Sequence, residues 1–327
     1  MTSSAVLVPR HGGPEVLTVI EREVPTPGPG ELVIEVAASG VNFIDVYKRE
    51  GIYPTVPPFV LGEECAGTIV AIGDDVADVA IADIVATCSG HHGTHATHAL
   101  IDAAKAVPVP AALDPALAAA AILQGMTAHY LVNSTFVLQA GQACVIHAAA
   151  GGVGQLLVQL AKAKGARVVA TVGSEAKVAI AQNAGADVVL RSDEISDLAG
   201  AIREAAGGGV DVAYDGVGAA TFEASLASLR PRGMLVLFGA ASGHVPPFDL
   251  QRLNSAGSLF VTRPTLGHYV ADRSELLWRS GEIFEAIADG SLRLEVGGRY
   301  SFEDAADAYR DLEGRHTTGK LLIVPAI

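Results

Sequence analysis

Residues 142–172 carry the pattern that most restricts how this chain can fold. A short apolar run at 142–147 leads into the glycine-rich sequence 149–154, and a helical pattern with apolar residues at three-to-four spacing follows at once. Gly165 ends that helix, and the β-branched run 167–172 comes next. An apolar run, a tight turn, an amphipathic helix and a second β-branched run are typical of a βαβ unit with two parallel strands.

The alternation of strand and helix signals continues beyond this first unit. Further short apolar runs, separated by helical or glycine-rich sequence, lie at 187–190, 210–214, 234–238 and 259–262. Together with the first two strands they predict six parallel strands. Such regular alternation predicts an α/β fold with a Rossmann doubly wound parallel sheet and helices on both faces, over residues 124–264.

The sequence on either side of this segment differs in composition and in its hydrophobic pattern. Residues 1–123 are rich in Val, Gly and Pro and carry short alternating runs, as at 31–37 and 67–72, which indicate a small, mostly β domain. A chain of 327 residues is also longer than one hydrophobic core usually organises. We therefore expect two domains, one formed by 1–123 with 265–327 and the other by 124–264.

Composition and charge disfavour several classes of protein. A content of 50% hydrophobic and 18% charged residues is typical of a well-buried globular protein, and a formal net charge of -14 disfavours binding to a nucleic-acid backbone. No run of about 18 uncharged apolar residues is apparent, and residues 1–10 do not resemble a signal peptide. Cys65, Cys88 and Cys144 are too far apart to indicate a disulfide framework. These features predict a cytoplasmic protein with no membrane partner.

The glycine turn indicates the chemistry of the central segment. Its motif is A-x-G-x-x-G, in which Ala149 takes the place of the first glycine, Gly151 leaves room for a phosphate and Gly154 allows the helix to pack closely on the strand. Similar turns occur in loops that bind no ligand. Because a strand precedes this turn and a helix follows it, we expect it to bind a dinucleotide.

Cofactor preference depends on the end of the second strand, where NAD enzymes place an acidic residue that binds the adenosine ribose. This chain has Gly173 and Ser174 there, with Lys177 one helical turn later and Arg191 after the next strand. Cations at these positions can neutralise a 2′-phosphate, so the sequence predicts NADPH. Glu175 leaves NADH open, because a shift of one residue would make it a ribose ligand, and Lys177 also fits a solvated helix cation.

Six longer stretches carry a resemblance to a known family. They are S-G-V-N-F-I-D-V-Y from Ser39, L-G-E-E-C-A-G from Leu61, H-A-A-A-G-G-V-G from His147, A-Y-D-G-V-G from Ala213, F-G-A-A-S-G from Phe238 and V-T-R-P from Val261. Over nearly the whole chain the sequence resembles the quinone oxidoreductases, the zeta-crystallin-like members of the zinc-independent medium-chain dehydrogenase/reductase superfamily. The resemblance implies a GroES-like catalytic domain, completed by the carboxyl-terminal tail, beside the Rossmann domain.

The resemblance also implies that no metal is bound. Zinc alcohol dehydrogenases of the superfamily carry a cysteine where this chain has Val41 or Asn42, and a histidine where Glu63 stands. The lobe with four closely spaced cysteines is missing as well, so a tetrahedral zinc site cannot be assembled.

Four histidines crowd into eight residues of the first domain, and neutral imidazole is a common metal ligand. They are His91, His92, His95 and His98. Their spacing is loose, so we expect partly exposed histidines that line the pocket, and a substrate contact from one of them stays open.

The resemblance further implies roles for individual residues. Asn42 and Tyr47 are the implied catalytic residues, facing the nicotinamide and the substrate; Tyr47 would donate to developing oxyanion charge with Asn42 orienting it, and simple cofactor packing stays open. Gln124 replaces a lysine of some relatives. Arg191 stands where a tyrosine commonly stacks near the adenine, and both stacking and pairing with phosphate stay open for it. The other implied cofactor contacts are Thr127 at the hinge, Gly151, Gly152 and Val153 at the pyrophosphate, Gly173, Ser174 and Lys177 at the 2′-phosphate, and Phe238, Gly239, Ala240, Ser242, Phe260 and Val261 at the nicotinamide half.

The implied activity is NADPH-dependent quinone reduction. A quinone needs little acid catalysis, whereas a simple ketone needs strong polarisation, so a zinc-free site favours quinones or conjugated enones. Two alternatives stay open: an NADPH-dependent 2-alkenal or enone reductase, and a non-catalytic NADPH- or RNA-binding protein related to the lens crystallins. The sequence leaves the physiological acceptor, one-electron against hydride delivery and the strictness of NADPH preference undecided.

The last predicted strand of the sheet, 259–262, would expose a row of unpaired backbone groups. Pairing with the same strand of a second copy removes this edge, and relatives in the family form such dimers. We therefore expect a C2 homodimer.

Overall fold

A computed structural model describes residues 2–314 and 317–325. Within it the chain divides into two compact units, the first formed by the residues up to Gln124 and those from Ala271 onward, the second by Gly125–Val270. The sequence-based limit at 264/265 stays a prediction of a domain boundary. The division by contacts places 265–270 in the second unit, where the ring of Tyr269 stacks on that of Tyr130 with centroids 4.2 Å apart.

The first unit begins with short strands and one helix. The strands are β1 (Thr2–Val8), β2 (Thr18–Glu23), β3 (Glu31–Gly40), β4 (Phe59–Val60), β5 (Glu64–Ile72), β6 (Ile84–Thr87), β7 (His98–Asp102) and β8 (Val107–Pro108), and the helix is α1 (Phe43–Arg49). The runs at 31–37 and 67–72 therefore form parts of β3 and β5, as the sequence predicts. A second helix, α2 (Pro115–Tyr130), contains the division between the units.

The second unit alternates strands and helices. In chain order they are β9 (Ala143–Ile146), α3 (Gly152–Ala163), β10 (Arg167–Val172), α4 (Val178–Asn183), β11 (Val188–Arg191), α5 (Leu198–Ala206), β12 (Val210–Asp215), α6 (Phe222–Ser228), β13 (Leu229–Leu237), α7 (Gln251–Ser255), β14 (Phe260–Thr262) and α8 (Leu266–Tyr269). The chain then returns to the first unit through α9 (Arg273–Ala288), β15 (Val296–Tyr300), α10 (Ala305–Glu313) and β16 (Lys320–Ile323).

The sheet of the second unit confirms the predicted doubly wound topology. Its six strands are parallel and follow the order β11-β10-β9-β12-β13-β14. This order places β9 and β12 side by side at the centre, where the chain reverses its direction across the sheet. In open α/β sheets, ligands bind at this reversal, outside the carboxyl ends of the strands.

One strand of this sheet is longer than predicted. β13 begins at Leu229 rather than near Met234, although Pro231 and Gly233 are typical of a turn. An irregularity in the pairing accommodates them, since Leu229 pairs with Val210 and the ladder resumes with Met234 opposite Val212. Propensity alone does not reveal such a bulge.

The first unit contains two sheets of short strands. A three-stranded sheet has the order β2-β1-β4, and a seven-stranded sheet has the order β15-β16-β3-β5-β6-β8 with β7 also paired to β3. β16 pairs antiparallel with β3 through Leu322 and Gly40. The carboxyl-terminal segment is thus an integral part of this sheet.

One described helix is long and apolar enough to cross a membrane, judged by length and composition. It is Pro115–Thr135, which includes the π-helical turn after α2, and 78% of its most apolar window is buried inside the protein. The sequence contains no unbroken apolar run of this length, because polar residues such as Gln124 and His129 interrupt it, but the helix carries no charge and its mean hydropathy is high. A mostly buried helix of this kind is also typical of the core of a soluble protein.

Candidate functional site

The glycine turn of the second unit connects β9 to α3. Ala148 has a φ of +51°, and Gly151 then precedes the helix in an extended conformation. Because α3 begins at Gly152, the predicted pyrophosphate contacts Gly151, Gly152 and Val153 all lie at its amino end, where helix N–H groups attract anions. A Cβ at Gly154 would lie less than 3.0 Å from the backbone oxygen of Ala148, so the turn requires glycine there.

Buried polar side chains fix the strand ends beneath this turn. His147 Nδ1 lies 2.8 Å from Thr171 Oγ1, and His147 Nε2 lies 2.9 Å from Ser225 Oγ. The Ser225 hydroxyl donates to the Asp215 carboxylate at 2.7 Å. Burial lowers the pKa of His147, and the charge of Asp215 opposes this shift. The chain of bonds therefore links the carboxyl ends of β9, β10 and β12.

None of these four residues was predicted from the sequence to have a role in the site, because they lie in separate elements. One signal was available for Asp215, a carboxylate that directly follows the apolar residues 212–214 at the carboxyl end of β12. Its Oδ1 atom accepts hydrogen bonds from the backbone N–H groups of Val217 and Gly218 at 2.8 and 2.9 Å. It thus holds the loop that follows β12 as well as the strand.

Four of the predicted nicotinamide contacts lie in one loop directly after β13. They are Phe238, Gly239, Ala240 and Ser242. The loop is fixed to its neighbour, since Ser242 Oγ donates to the Val217 carbonyl at 2.8 Å and accepts from Ala220 N at 3.0 Å. A Cβ at Gly239 would lie less than 3.0 Å from the Gly216 backbone oxygen, so this crossing also requires glycine.

The remaining predicted contacts of this half lie elsewhere in the second unit. Phe260 and Val261 belong to β14, where their backbones pair with Met234 and Leu235 of β13. Phe260 is 56% exposed and Val261 is 37% exposed. Thr127 is buried in α2.

The adenosine-end residues follow β10 and β11. Gly173 directly follows β10 and has open space around it, because an added Cβ would meet no atom within 4 Å. Ser174 is extended and precedes a single 3₁₀ turn that ends at Lys177. This short segment leaves β10 at the sheet end that carries the glycine turn.

The guanidinium of Arg191 is surrounded by carboxylates. It pairs with Glu175 at 2.8 Å, with Asp193 at 2.7 Å and with Glu194 at 2.9 Å. The hydrogen bond to Asp193, followed by that to Glu175, raises the pKa of Arg191 above its ordinary value. The structure thus brings Arg191 and Glu175 together, and the carboxylate of Glu175 is already engaged.

In the first unit, Asn42 lies at the junction between β3 and α1. Its backbone N–H donates to Asp45 Oδ2 at 2.9 Å, which caps the helix. Its side-chain nitrogen donates to Glu64 Oε1 at 2.7 Å and to the Gly40 carbonyl at 3.3 Å, and its side-chain oxygen accepts from Lys320 Nζ at 2.6 Å.

A fourth bond completes the set, because Gln124 Nε2 also donates to Asn42 Oδ1 at 3.3 Å. An amide offers two N–H donors and two acceptor positions, so this side chain is fully engaged. A ligand would therefore meet the Asn42 amide through packing contact.

Lys320 and Glu64 form a fully buried ion pair beside Asn42. Lys320 Nζ lies 2.5 Å from Glu64 Oε1, and both side chains are 0% exposed. The ammonium also donates to the Val41 carbonyl at 3.0 Å, and Glu64 Oε2 accepts from Leu123 N at 2.7 Å. The sequence analysis missed both residues, since Lys320 is 278 residues from Asn42 and no local motif connects them.

Tyr47 lies one turn into α1 and is half-buried. Its ring packs near those of Tyr53 and Phe43, with centroid separations of 5.4 and 6.3 Å. Asn42 and Tyr47 are therefore joined by one short helix, and whatever fixes the start of α1 also fixes the ring of Tyr47.

The donors at and beside the positions where zinc alcohol dehydrogenases carry their zinc ligands do not fit a zinc ion. Lys48 pairs with Glu63, Lys320 pairs with Glu64, and the Asn42 amide is saturated. Over residues 2–314 and 317–325, no group of three or more His, Cys, Asp or Glu side chains is arranged to hold a metal ion. Carboxylates already neutralised by ammonium groups are poor partners for a cation.

The structure corrects the expectation that all four clustered histidines are partly exposed. His95 is completely buried; its Nδ1 lies 2.6 Å from Ser39 Oγ and its Nε2 lies 2.8 Å from the Tyr309 hydroxyl. Burial, followed by the charge of Lys320, lowers its pKa to about 3. The imidazole is placed there by packing against α10, which the local sequence does not show. His91 and His92 do line a cavity of about 550 Å³ in the first unit.

Two protein families match the chain, one in its amino-terminal part and one in its central part. The alcohol dehydrogenase GroES-like domain matches residues 28–111, and the zinc-binding dehydrogenase family matches residues 152–276. The first match confirms the GroES-like prediction for the amino-terminal part. The name of the second implies a metal, which the donors beside Asn42 do not fit.

Known proteins match over almost the full length. The quinone oxidoreductase of Salmonella typhimurium is 41% identical over 97% of this chain and 98% of its own, and the 2-haloacrylate reductase of a Burkholderia species is 38% identical over 98% of each. The structure of Escherichia coli quinone oxidoreductase complexed with NADPH has a TM-score of 0.95 at 39% identity, covering 98% of this chain and 100% of the other. The chain therefore belongs to the quinone oxidoreductase family of the medium-chain dehydrogenase/reductase superfamily.

Proposed function

We propose that this protein catalyses the NADPH-dependent reduction of quinones without zinc. The observation that carries the proposal is its similarity, over 97% of the chain, to a protein named quinone oxidoreductase. The fold gives independent support, because the glycine turn lies at the carboxyl end of β9, beside the point where the strand order reverses. That position is the usual dinucleotide site of such sheets.

NADPH is proposed to bind along the carboxyl ends of the second unit's strands. Gly151, Gly152 and Val153 would contact the pyrophosphate at the amino end of α3. Gly173, Ser174 and Lys177 would surround the 2′-phosphate, and the open space at Gly173 supports this assignment. Glu175, the alternative ribose ligand, pairs with Arg191 at an exposed position, so the preference for NADPH over NADH is proposed on Gly173, Ser174 and Lys177 alone.

The proposed contacts of the remaining cofactor groups follow the sequence assignments. Arg191 would lie near the adenine, and Asn42 and Tyr47 would face the nicotinamide and the acceptor. The nicotinamide half would contact Thr127, Phe238, Gly239, Ala240, Ser242, Phe260 and Val261.

Bound NADPH supplies a hydride from C4 of its nicotinamide ring. The chain's own task is to hold an acceptor carbon or oxygen above that ring and to exclude water. The hydroxyl of Tyr47 is proposed to donate to the acceptor oxygen on which negative charge develops. A quinone becomes a hydroquinone by gaining one hydride and one proton, and solvent can provide the proton.

A second candidate is the reduction of a conjugated alkene. The Burkholderia relative, named 2-haloacrylate reductase, is 38% identical and covers the same length of chain, which favours this candidate over a non-catalytic role. The same NADPH site would serve both reactions. Quinone reduction remains the first proposal, because the Salmonella protein is more similar at 41% identity.

We further propose a cytoplasmic C2 homodimer without a membrane or nucleic-acid partner. β14 lies at the edge of the six-stranded sheet, and Phe260 on it is exposed. Such an edge is an unprotected template for strand pairing, which supports a sheet continued into a second copy. The formal charge of -14 disfavours a nucleic-acid partner.

The proposed function is tested with chelator-treated protein. Oxidation of NADPH and of NADH is followed with 1,4-benzoquinone, 9,10-phenanthrenequinone and a 2-alkenal as acceptors. Turnover of quinones with NADPH after chelation is the expected result. Preference for the alkenal would establish the second candidate instead, and dependence on added zinc would overturn the zinc-free proposal.

A further inference from the structure

The ammonium of Lys320 donates to two successive residues at the start of α1. It bonds to the backbone oxygen of Val41 at 3.0 Å and to the side-chain oxygen of Asn42 at 2.6 Å. Lys320 reaches this turn from β16, which pairs with the end of β3 at Gly40. The contact thus joins the carboxyl-terminal strand to the β3–α1 junction.

Glu64 holds the other side of the same amide. Its Oε1 atom accepts from Asn42 Nδ2 at 2.7 Å and pairs with Lys320. A cation on the amide oxygen and an anion on the amide nitrogen permit only one orientation of the Asn42 side chain. A flipped amide would place its nitrogen against the ammonium and its oxygen against the carboxylate, and both contacts would become repulsive.

Burying both ions is costly, since each loses its hydration. A pair of apolar residues could fill the same space without that cost. The ion pair instead fixes the orientation of the groups that it contacts, because charge-assisted hydrogen bonds are short and geometrically specific. Lys320 also holds the backbone of the turn, through the Val41 carbonyl. Because α1 begins directly after this turn, the orientation of α1 and of the Tyr47 ring on it depends on the same contact.

We propose that Lys320 and Glu64 are positioning residues, which hold Asn42 and, through α1, Tyr47 in the orientation that hydride transfer requires. This inference rests on the proposed function, in which Asn42 and Tyr47 face the nicotinamide and the acceptor. Both side chains are fully buried, which leaves them no exposed surface for a ligand. The pair acts only through the turn that it fixes.

The test uses Lys320→Met, Glu64→Gln and the double variant in the full-length protein. Lys320→Met leaves a buried carboxylate unpaired, so its melting temperature is expected to fall. In the double variant both charges are gone and the melting temperature is expected to recover, but Asn42 Oδ1 still lacks the ammonium donor and keeps only the longer bond, of 3.3 Å, from Gln124 Nε2. The kcat for quinone reduction is expected to stay about 100-fold low in both, a loss typical of a misplacement of about 1 Å.

A positioning role also makes predictions that a purely structural role does not. The Kd for NADPH should be unchanged, because the proposed phosphate contacts lie in the second unit. Lys320→Arg should regain much of the lost kcat, since arginine restores a buried cationic donor. Lys162→Met is the matched control, because it removes the ion pair with Asp187 and should leave kcat unchanged.

Recovery of kcat together with melting temperature in the double variant would overturn the inference, as would wild-type kcat in Lys320→Met. NMR of the Asn42 side-chain amide protons gives a readout that is independent of turnover. The amide protons donate to Glu64 and to the Gly40 carbonyl, so slow exchange in the wild type and faster exchange in Glu64→Gln are expected, and an amide equally protected in both would also overturn it. If the wild type reduces neither quinone nor alkenal, the proposed function fails, and the amide protection still decides whether the pair fixes Asn42.

Discussion

His95 Nε2 lies 2.8 Å from the hydroxyl oxygen of Tyr309, and neither side chain reaches solvent. Burial, followed by the charge of Lys320, lowers the pKa of His95 from 6.5 to about 3. The unfolded chain therefore takes up a proton below pH 6.5 that the folded chain does not. The stability that His95 contributes is present above pH 6.5 and is lost as the pH falls toward 3.

The first prediction follows from this loss. Replacing His95 by Gln keeps a polar group of similar length and removes the titration, so the variant should be less stable than the wild type at pH 7.5. The difference should shrink by about 2 kcal/mol on going to pH 5. Urea denaturation at the two pH values measures it, and a difference that does not change with pH would contradict the burial of a neutral imidazole.

For Asp45, the predicted change of stability with pH has the opposite sign to that for His95. Burial, followed by the charge of Glu63, raises its pKa from 3.8 to about 7. The folded chain then binds a proton between these values that the unfolded chain does not, so stability is lost as the pH rises from about 4 to 7. Relative to the wild type, Asp45→Asn should gain about 1.4 kcal/mol per pH unit between pH 5 and 7. Parallel stability curves for the two proteins would show that the carboxyl is not titrating there.

Lys177 provides the test of cofactor preference. If its ammonium pairs with the 2′-phosphate, Lys177→Ala should raise the KM for NADPH about tenfold, the loss typical of one charge-assisted hydrogen bond, and leave the KM for NADH almost unchanged. Lys164→Ala is a suitable control, because Lys164 lies at the far end of α3 from the glycine turn. Equal effects of Lys177→Ala on both cofactors would place the phosphate elsewhere.

The variant Gly154→Ala tests whether the close packing of α3 against the glycine turn is needed for NADPH binding. An alanine Cβ would lie less than 3.0 Å from the Ala148 backbone oxygen, so the start of α3 must shift. We expect Gly154→Ala to fold with lower stability and to bind NADPH at least about tenfold more weakly. Gly281→Ala in α9 is the control, since its Cβ meets no atom within 4 Å and alanine favours a helix. Unchanged NADPH affinity in Gly154→Ala would contradict the proposed contact between the glycine turn and the cofactor.

The features predicted from sequence are the local ones. The six strands and the glycine turn follow from periodicity within about 30 residues, because the backbone geometry of a βαβ unit is set by neighbours in the chain. The Lys320–Asn42 bond joins residues 278 apart, and the buried state of His95 depends on Tyr309, 214 residues away. Neither lysine nor histidine shows in its own sequence context that a distant helix or strand will cover it.

The last prediction concerns dimer formation through the edge of the six-stranded sheet. Phe260 is 56% exposed on β14, whose outer side would pair with a second copy in the proposed dimer. Phe260→Lys places a charge at that edge, which natural sheets use to prevent pairing. The wild type should sediment at twice the 33.5 kDa chain mass and the variant as a monomer, whereas Leu250→Lys, at an exposed position outside the sheet, should leave the dimer intact. A wild-type protein that sediments as a monomer would rule out pairing through β14, and a dimer that survives Phe260→Lys would move the interface to another surface.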